Sequence, residues 1–254
     1  MHTDSPHFKD FILHLADTNL ILAQRLCEWC GHGPILEQDI ALSNIALDLL
    51  GQASNYYGYA ADLLGGDATA DSLAMLRGER AYKNLLLVEL PNGDFGRTVS
   101  KQFFFESFQE LFLEKLMRSK DLRLRGIAEK ALKETKYHLS WSSEWMIRLG
   151  DGTQESHDRM QQAVDYLLPF LGELFLPSEY EHELIKAGLI PNPNDFKARW
   201  EEKVRDVLSE ATIEAEFPHK QVQKGGKQGV HTEYMGYILA ELQFMQRSYP
   251  GLEW

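Results

Sequence analysis

The chain has 254 residues, with 26 Lys+Arg against 38 Asp+Glu and therefore a formal charge of −12. So acidic a chain lacks the clustered basic face that phosphate neutralisation requires, which argues against a nucleic-acid binder. Hydrophobic residues at 44% and charged residues at 25% exclude the disordered and fibrous classes. Two cysteines, Cys27 and Cys30, exclude a disulfide-dense scaffold and fit a reducing compartment.

The N-terminus, MHTDSPHFKD, has neither the apolar segment nor the cleavage site of a signal peptide. No stretch approaches the roughly 18–20 apolar residues that cross a bilayer. The expectation is a cytoplasmic protein with no membrane span.

Helical periodicity runs through the chain and no alternating apolar–polar run is bounded by hairpin turns, so the fold is expected to be all-α. A first helix is predicted over 8–29, with Phe11, Leu15, Leu22 and Leu26 at helical spacing, and Gly31 and Gly33-Pro34 to stop it. A second is predicted over 36–64, stopped by Gly65-Gly66. A connecting region to residue 94 leads to a third helix over 95–118 and a fourth over 122–149. Shorter helices are expected over 156–175, where Pro169 should bend the chain, over 178–187, 194–214 and 232–249. Four long helices, paired by short turns with a longer crossover between the second and third, describe a ferritin-like four-helix bundle. The whole of 1–254 is expected as one helical domain, with the core bundle over about 8–149 and flanking helices over about 155–249.

Bundles of this class build a dinuclear metal centre from one carboxylate on each of two helices and a Glu-x-x-His pair on each of the other two. Residues at i and i+3 share a helix face, so a single helix can offer an oxygen and a nitrogen to the same metals. Glu28 is an adequate carboxylate on the first helix, though a partly exposed glutamate at a helix end meets the same spacing. Glu106 on the third stands among Phe103, Phe104, Phe105 and Phe108, an apolar setting where an ionised carboxylate needs a partner. The second helix reads Asp48-Leu-Leu-Gly-Gln52 and contains no histidine, so Leu49 and Gln52 stand in its ligand slots. The fourth reads Glu134-Thr-Lys-Tyr-His138, with Thr135 three residues before His138. Leucine cannot coordinate, and threonine is a poor ligand for a hard divalent cation. The count predicts no functional metal site and no catalytic residue in this chain.

Cys27-x-x-Cys30 stands alone near a helix end and is expected to be structural. The loop Lys224-Gly-Gly-Lys-Gln-Gly229 lacks the full phosphate-loop pattern, so Lys224 and Lys227 are candidates for a simple anion or partner contact. Thr232 is expected to cap the helix that follows.

Five strings in order, Gln24-Arg-Leu-Cys-Glu-Trp-Cys-Gly-His-Gly-Pro34, Leu42-Ser-Asn-Ile-Ala-Leu-Asp-Leu-Leu-Gly-Gln-Ala53, Asn84-Leu-Leu-Leu-Val-Glu-Leu-Pro-Asn-Gly93, Lys133-Glu-Thr-Lys-Tyr-His138 and Gly225-Gly-Lys-Gln-Gly-Val-His-Thr-Glu233, resemble the C-subunit family of bacterial phenylacetyl-CoA epoxidase complexes. The similarity runs from about residue 10 to the C-terminus. It implies a multicomponent monooxygenase that uses O2 and NADPH to epoxidise phenylacetyl-CoA during aerobic phenylacetate breakdown. A homologous ferritin-like partner would carry the di-iron centre, and a reductase would carry FAD and an iron–sulfur cluster. The resemblance assigns this chain a structural, non-catalytic role without cofactors of its own, in which Glu28, Glu106 and His138 are remnants of a ligand set and Leu49, Gln52 and Thr135 mark the lost positions. Two other readings stay open from the residues alone, a metal oxygenase with an unusual ligand set using Asp48 and Glu134 and a CoA- or anion-binding module, and among partners a homo-oligomer stays open as well.

Overall fold

A computed structural model describes residues 5–217 and 220–252. Among them there is no strand, and the chain has an all-α, ferritin-like fold. In chain order the helices are α1 (Pro6–Cys27), α2 (Leu36–Leu64), α3 (Ala70–Met75), α4 (Leu86–Glu89), α5 (Phe95–Leu116), α6 (Leu122–Gly150), α7 (Gln154–Leu171), α8 (Glu179–Lys186), α9 (Lys197–Glu210), α10 (Tyr234–Leu242) and α11 (Phe244–Ser248). The chain divides into two compact units, one reaching to Pro91 and resuming at Gly225, the other Asn92–Lys224.

In the first unit α1 and α2 pack along each other as a hairpin. Ser5 caps α1 by accepting from the His7 N–H, Pro6 occupies its first turn, and every residue from Phe11 to Ala23 is buried. Helix α2 ends as expected at Gly65, whose φ of +69° is a left-handed conformation that glycine adopts without steric cost. The polar side chains buried along α1 have partners. The Asn19 amide donates to the Leu15 carbonyl at 2.8 Å, and the Tyr57 hydroxyl of α2 donates to Asp17 at 2.5 Å. Arg77 forms a buried ion pair with Asp17 and lies over the Tyr82 ring at 4.3 Å. Burial works against the Arg77 charge, but Asp17 and the two tyrosines outweigh it and raise its pKa. Burial raises the Tyr82 hydroxyl to about 12.

In the second unit α5 and α6 form another hairpin, capped by Asp94 and Asp121, with α7 and α9 packed beside it. Helix α5 is buried almost all round: Phe103, Phe104 and Phe105 are all inside, and Ser100 and Ser107 return their hydroxyls to backbone carbonyls one turn earlier. Phe108 meets Phe175 edge-on at 5.4 Å and Phe175 meets Trp200 at 5.1 Å, joining α5 to the 3-10 turn after α7 and to α9.

Four features depart from the sequence reading. Helix α7 becomes a 3-10 turn at Gly172, just beyond the proline-containing turn. The crossover region contains α3, a 3-10 turn and α4. The last predicted helix is two, α10 and α11, broken at Gln243, whose buried amide donates to the Tyr82 hydroxyl at 2.8 Å and the Arg77 carbonyl at 3.0 Å. Thr232 does not cap α10. Its N–H and O–H both reach Glu89, a longer-range acceptor that outcompetes the local cap. Among the described residues no helix is long and apolar enough to cross a membrane.

Candidate functional site

Two buried polar clusters stand out, one in each unit. In the second unit α5 and α6 bring Glu106 and His138 together. His138 Nδ1 lies 3.1 Å from Glu106 Oε1, and Gln102, one turn before Glu106 on α5, donates its amide to that same oxygen at 2.6 Å. Glu106, Gln102 and His138 are fully buried. Thr135, also buried, occupies the turn of α6 preceding His138. Glu134, one turn before His138, is partly buried and lies 3.8 Å from Lys130.

These residues do not fit a dinuclear metal centre. Helix α6 offers an imidazole without the carboxylate that should precede it by three residues, because Thr135 stands there. Of the α5 carboxylates Glu106 alone is fully buried: its Oε1 is committed to an amide and an imidazole of this chain, which leaves only Oε2, without a hydrogen-bond partner, free to ligate. In the first unit Leu49 and Gln52 are buried on the inner face of α2. Glu28, just after α1, is about one-third exposed and pairs with Arg25 at 2.7 Å. Asp48 is only partly buried. Among the described residues no three His, Cys, Asp or Glu side chains group so as to hold a metal ion.

Cys27 and Cys30 are free thiols at the exposed end of α1. Partial burial, then Cys30 and Glu28, raise the Cys27 pKa, which opposes the thiolate a redox centre needs.

The second cluster was not anticipated. Glu89 on α4, in the apolar run Leu85-Leu-Leu-Val-Glu-Leu90, is fully buried. Its Oε1 accepts from the Asn84 amide at 2.8 Å and lies 2.6 Å from His231 Nδ1, while its Oε2 accepts from the Thr232 N–H at 2.8 Å and O–H at 2.6 Å. The Glu89 carbonyl accepts two donors of Arg25, at 2.7 and 3.0 Å. His231 Nε2 lies 3.1 Å from the Tyr82 carbonyl, so both ring nitrogens face acceptors and only the doubly protonated ring satisfies both. Burial works against that charge, but the Glu89 hydrogen bond and carboxylate outweigh it and the pKa is raised. The signal available in the sequence was the carboxylate itself, since one inside an apolar run needs partners.

The glycine-rich loop is held against the same cluster. A Cβ on Gly226 would overlap the Asn84 carbonyl, and one on Gly229 would overlap that of Arg80. Lys227 is 3% exposed, whereas Lys224 lies on the surface. The loop that resembles an anion cradle is thus packed backbone to backbone within its unit.

Neither cluster supplies a nucleophile with a base beside an open cavity; both are buried polar networks inside helix packing. Comparison with known proteins gives the same chain a place. It is 46% identical over 245 residues, 96% of its length and 98% of the relative's, to the C subunit of the 1,2-phenylacetyl-CoA epoxidase of Escherichia coli (strain K12). The family model described as phenylacetic acid catabolic protein matches residues 1–254, so the chain belongs to the phenylacetic acid catabolic protein family.

Proposed function

We propose that this chain is the C subunit of a bacterial phenylacetyl-CoA epoxidase complex and serves it as a structural, non-catalytic component in the cytoplasm. The observation that carries the reading is the Glu106–His138 pair: the two residues that most resemble metal ligands share one carboxylate oxygen with each other and with Gln102, and Thr135 stands where a second carboxylate is needed. Identity of 46% across nearly both full chains supports the subunit assignment.

On this reading the di-iron centre belongs to a homologous catalytic subunit, and FAD and an iron–sulfur cluster to a reductase. A catalytic bundle that opens its helices for metal and substrate loses packing, and a rigid companion restores it by burying part of its surface. Catalysis then depends on this chain through preorganisation. The test is turnover of the reconstituted complex carrying Glu106→Gln or His138→Ala. Activity within about twofold of wild type is expected, well short of the 10- to 100-fold losses that disturbing a metal's surroundings brings. A loss on that larger scale in complexes of normal composition overturns the reading.

A further inference from the structure

Helix α2 is covered on one side and bare on the other. Leu42, Ile45, Leu49 and Tyr56 are buried, while Leu36, Ile40 and Leu47 are 72%, 51% and 64% exposed. These three lie on one stripe that continues through Gly51, Ser54 and Gly58, a strip about 33 Å long at 1.5 Å per residue. A Cβ on Gly51 would meet no atom of this chain. Packing within the chain therefore does not call for a glycine there, although glycine is unfavourable in a helix interior; the bare backbone is open to close approach from outside.

The open face of α6, a helix of the same 29-residue length, shows the contrast. It carries Arg125, Glu129, Lys133, Lys136, Glu144 and Arg148, the charged coat of a solvated helix. From Ile40 to Ala61 helix α2 has a single charged residue, Asp48.

Charge selects the occupant. Between Arg25 and Arg77 there is no Lys or Arg, while Glu37 and Asp39 stand at one end of the strip and Asp62 at the other. A second copy docked α2 on α2 sets acid against acid, which costs affinity, whereas a foreign helix with basic flanks is attracted. We infer that the outer face of α2 docks a helix of another subunit of the complex, one presenting small and apolar residues along its centre and Lys or Arg at its edges. The inference rests on the proposed function only in that a complex exists; it holds whether or not this chain is catalytic.

The test uses the full-length chain and the homologous ferritin-like subunit, with Kd measured by biolayer interferometry at low and high NaCl. Leu47→Lys places a cation against a basic partner, and Gly51→Leu fills the open approach. Each is expected to weaken binding at least tenfold, and wild-type binding to weaken as salt rises. Each variant alone should melt within a degree or two of wild type, since both side chains face outward. Tyr137→Ala, on the exposed face of α6, should bind as wild type.

Wild-type affinity in both α2 variants overturns the inference, as does failure of the wild-type chain to bind that subunit. Variants that convert a dimer of this chain to monomer in sedimentation, with partner binding unchanged, assign the face to a second copy and overturn it too. Iron ligation by this chain, or loss of turnover in His138→Ala complexes, defeats the proposed function and leaves the docking result standing.

Discussion

Glu89→Gln tests the buried cluster of the first unit at the smallest change in shape. The wild-type carboxylate takes four donors on two oxygens, from Asn84 and His231 on one and Thr232 N–H and O–H on the other. Glutamine keeps one acceptor oxygen and turns an NH2 toward donors on the other side. The Thr232 hydroxyl can rotate to accept, but its backbone N–H cannot, and one unsatisfied buried donor costs about 1–3 kcal/mol. The His231 cation also loses its counter-charge, and breaking a buried pair by removing one partner costs about 3–5 kcal/mol. The amide still accepts from the ring, so we place the total near the lower end, at about 4 kcal/mol. For a chain of this size that lowers Tm by roughly 8–16 °C.

The pH dependence supplies a second reading of the same variant. The folded His231 pKa is raised above the unfolded value of about 6.5, so its stabilisation is complete below about pH 6.5 and is lost as pH rises through the folded pKa. Scanning calorimetry at pH 6 and at pH 8.5 should show the wild-type advantage over Glu89→Gln shrinking at the higher pH. A Tm lowered by less than about 2 °C, or a pH-independent gap, refutes the ion-pair assignment.

Other consequences follow from single contacts. Arg77→Leu leaves Asp17 buried without its cation and should destabilise the chain by about 3–5 kcal/mol in urea unfolding, whereas Glu28→Ala, at a partly exposed pair, should cost less than about 1 kcal/mol. Gly226→Ala forces a Cβ into the Asn84 carbonyl and should make α10 and α11 cleavable by limited proteolysis under conditions where wild type resists. His138→Ala removes a fully buried ring and should cost the isolated chain about 2–4 kcal/mol by denaturant unfolding, with turnover of the complex preserved.

Much of the fold was legible because its signals are local. Helix α2 starts after Gly33-Pro34 and stops at Gly65-Gly66, and its predicted bounds coincide with the observed ones. The pairing of Glu106 with a partner was legible too, because a carboxylate among four phenylalanines cannot stand alone. Long-range partners were not legible. Thr232 looks like a helix cap from its neighbours, but its donors go to Glu89, 143 residues away. Lys227 sits in a loop whose glycines and lysines read as exposed, and those same glycines let the backbone approach Asn84 and Arg80 closely enough to bury it. The α10–α11 break follows from Gln243 reaching Tyr82 and Arg77, again beyond any local pattern.

The central claim is that this chain braces a metalloenzyme without holding its metal. The most direct measurement is elemental analysis of the chain purified alone and then together with its homologous ferritin-like subunit. The account predicts iron far below one per chain in the first sample and iron that appears with the partner in the second. About two irons per chain in the protein purified alone, the content of an intact dinuclear bundle, contradicts it.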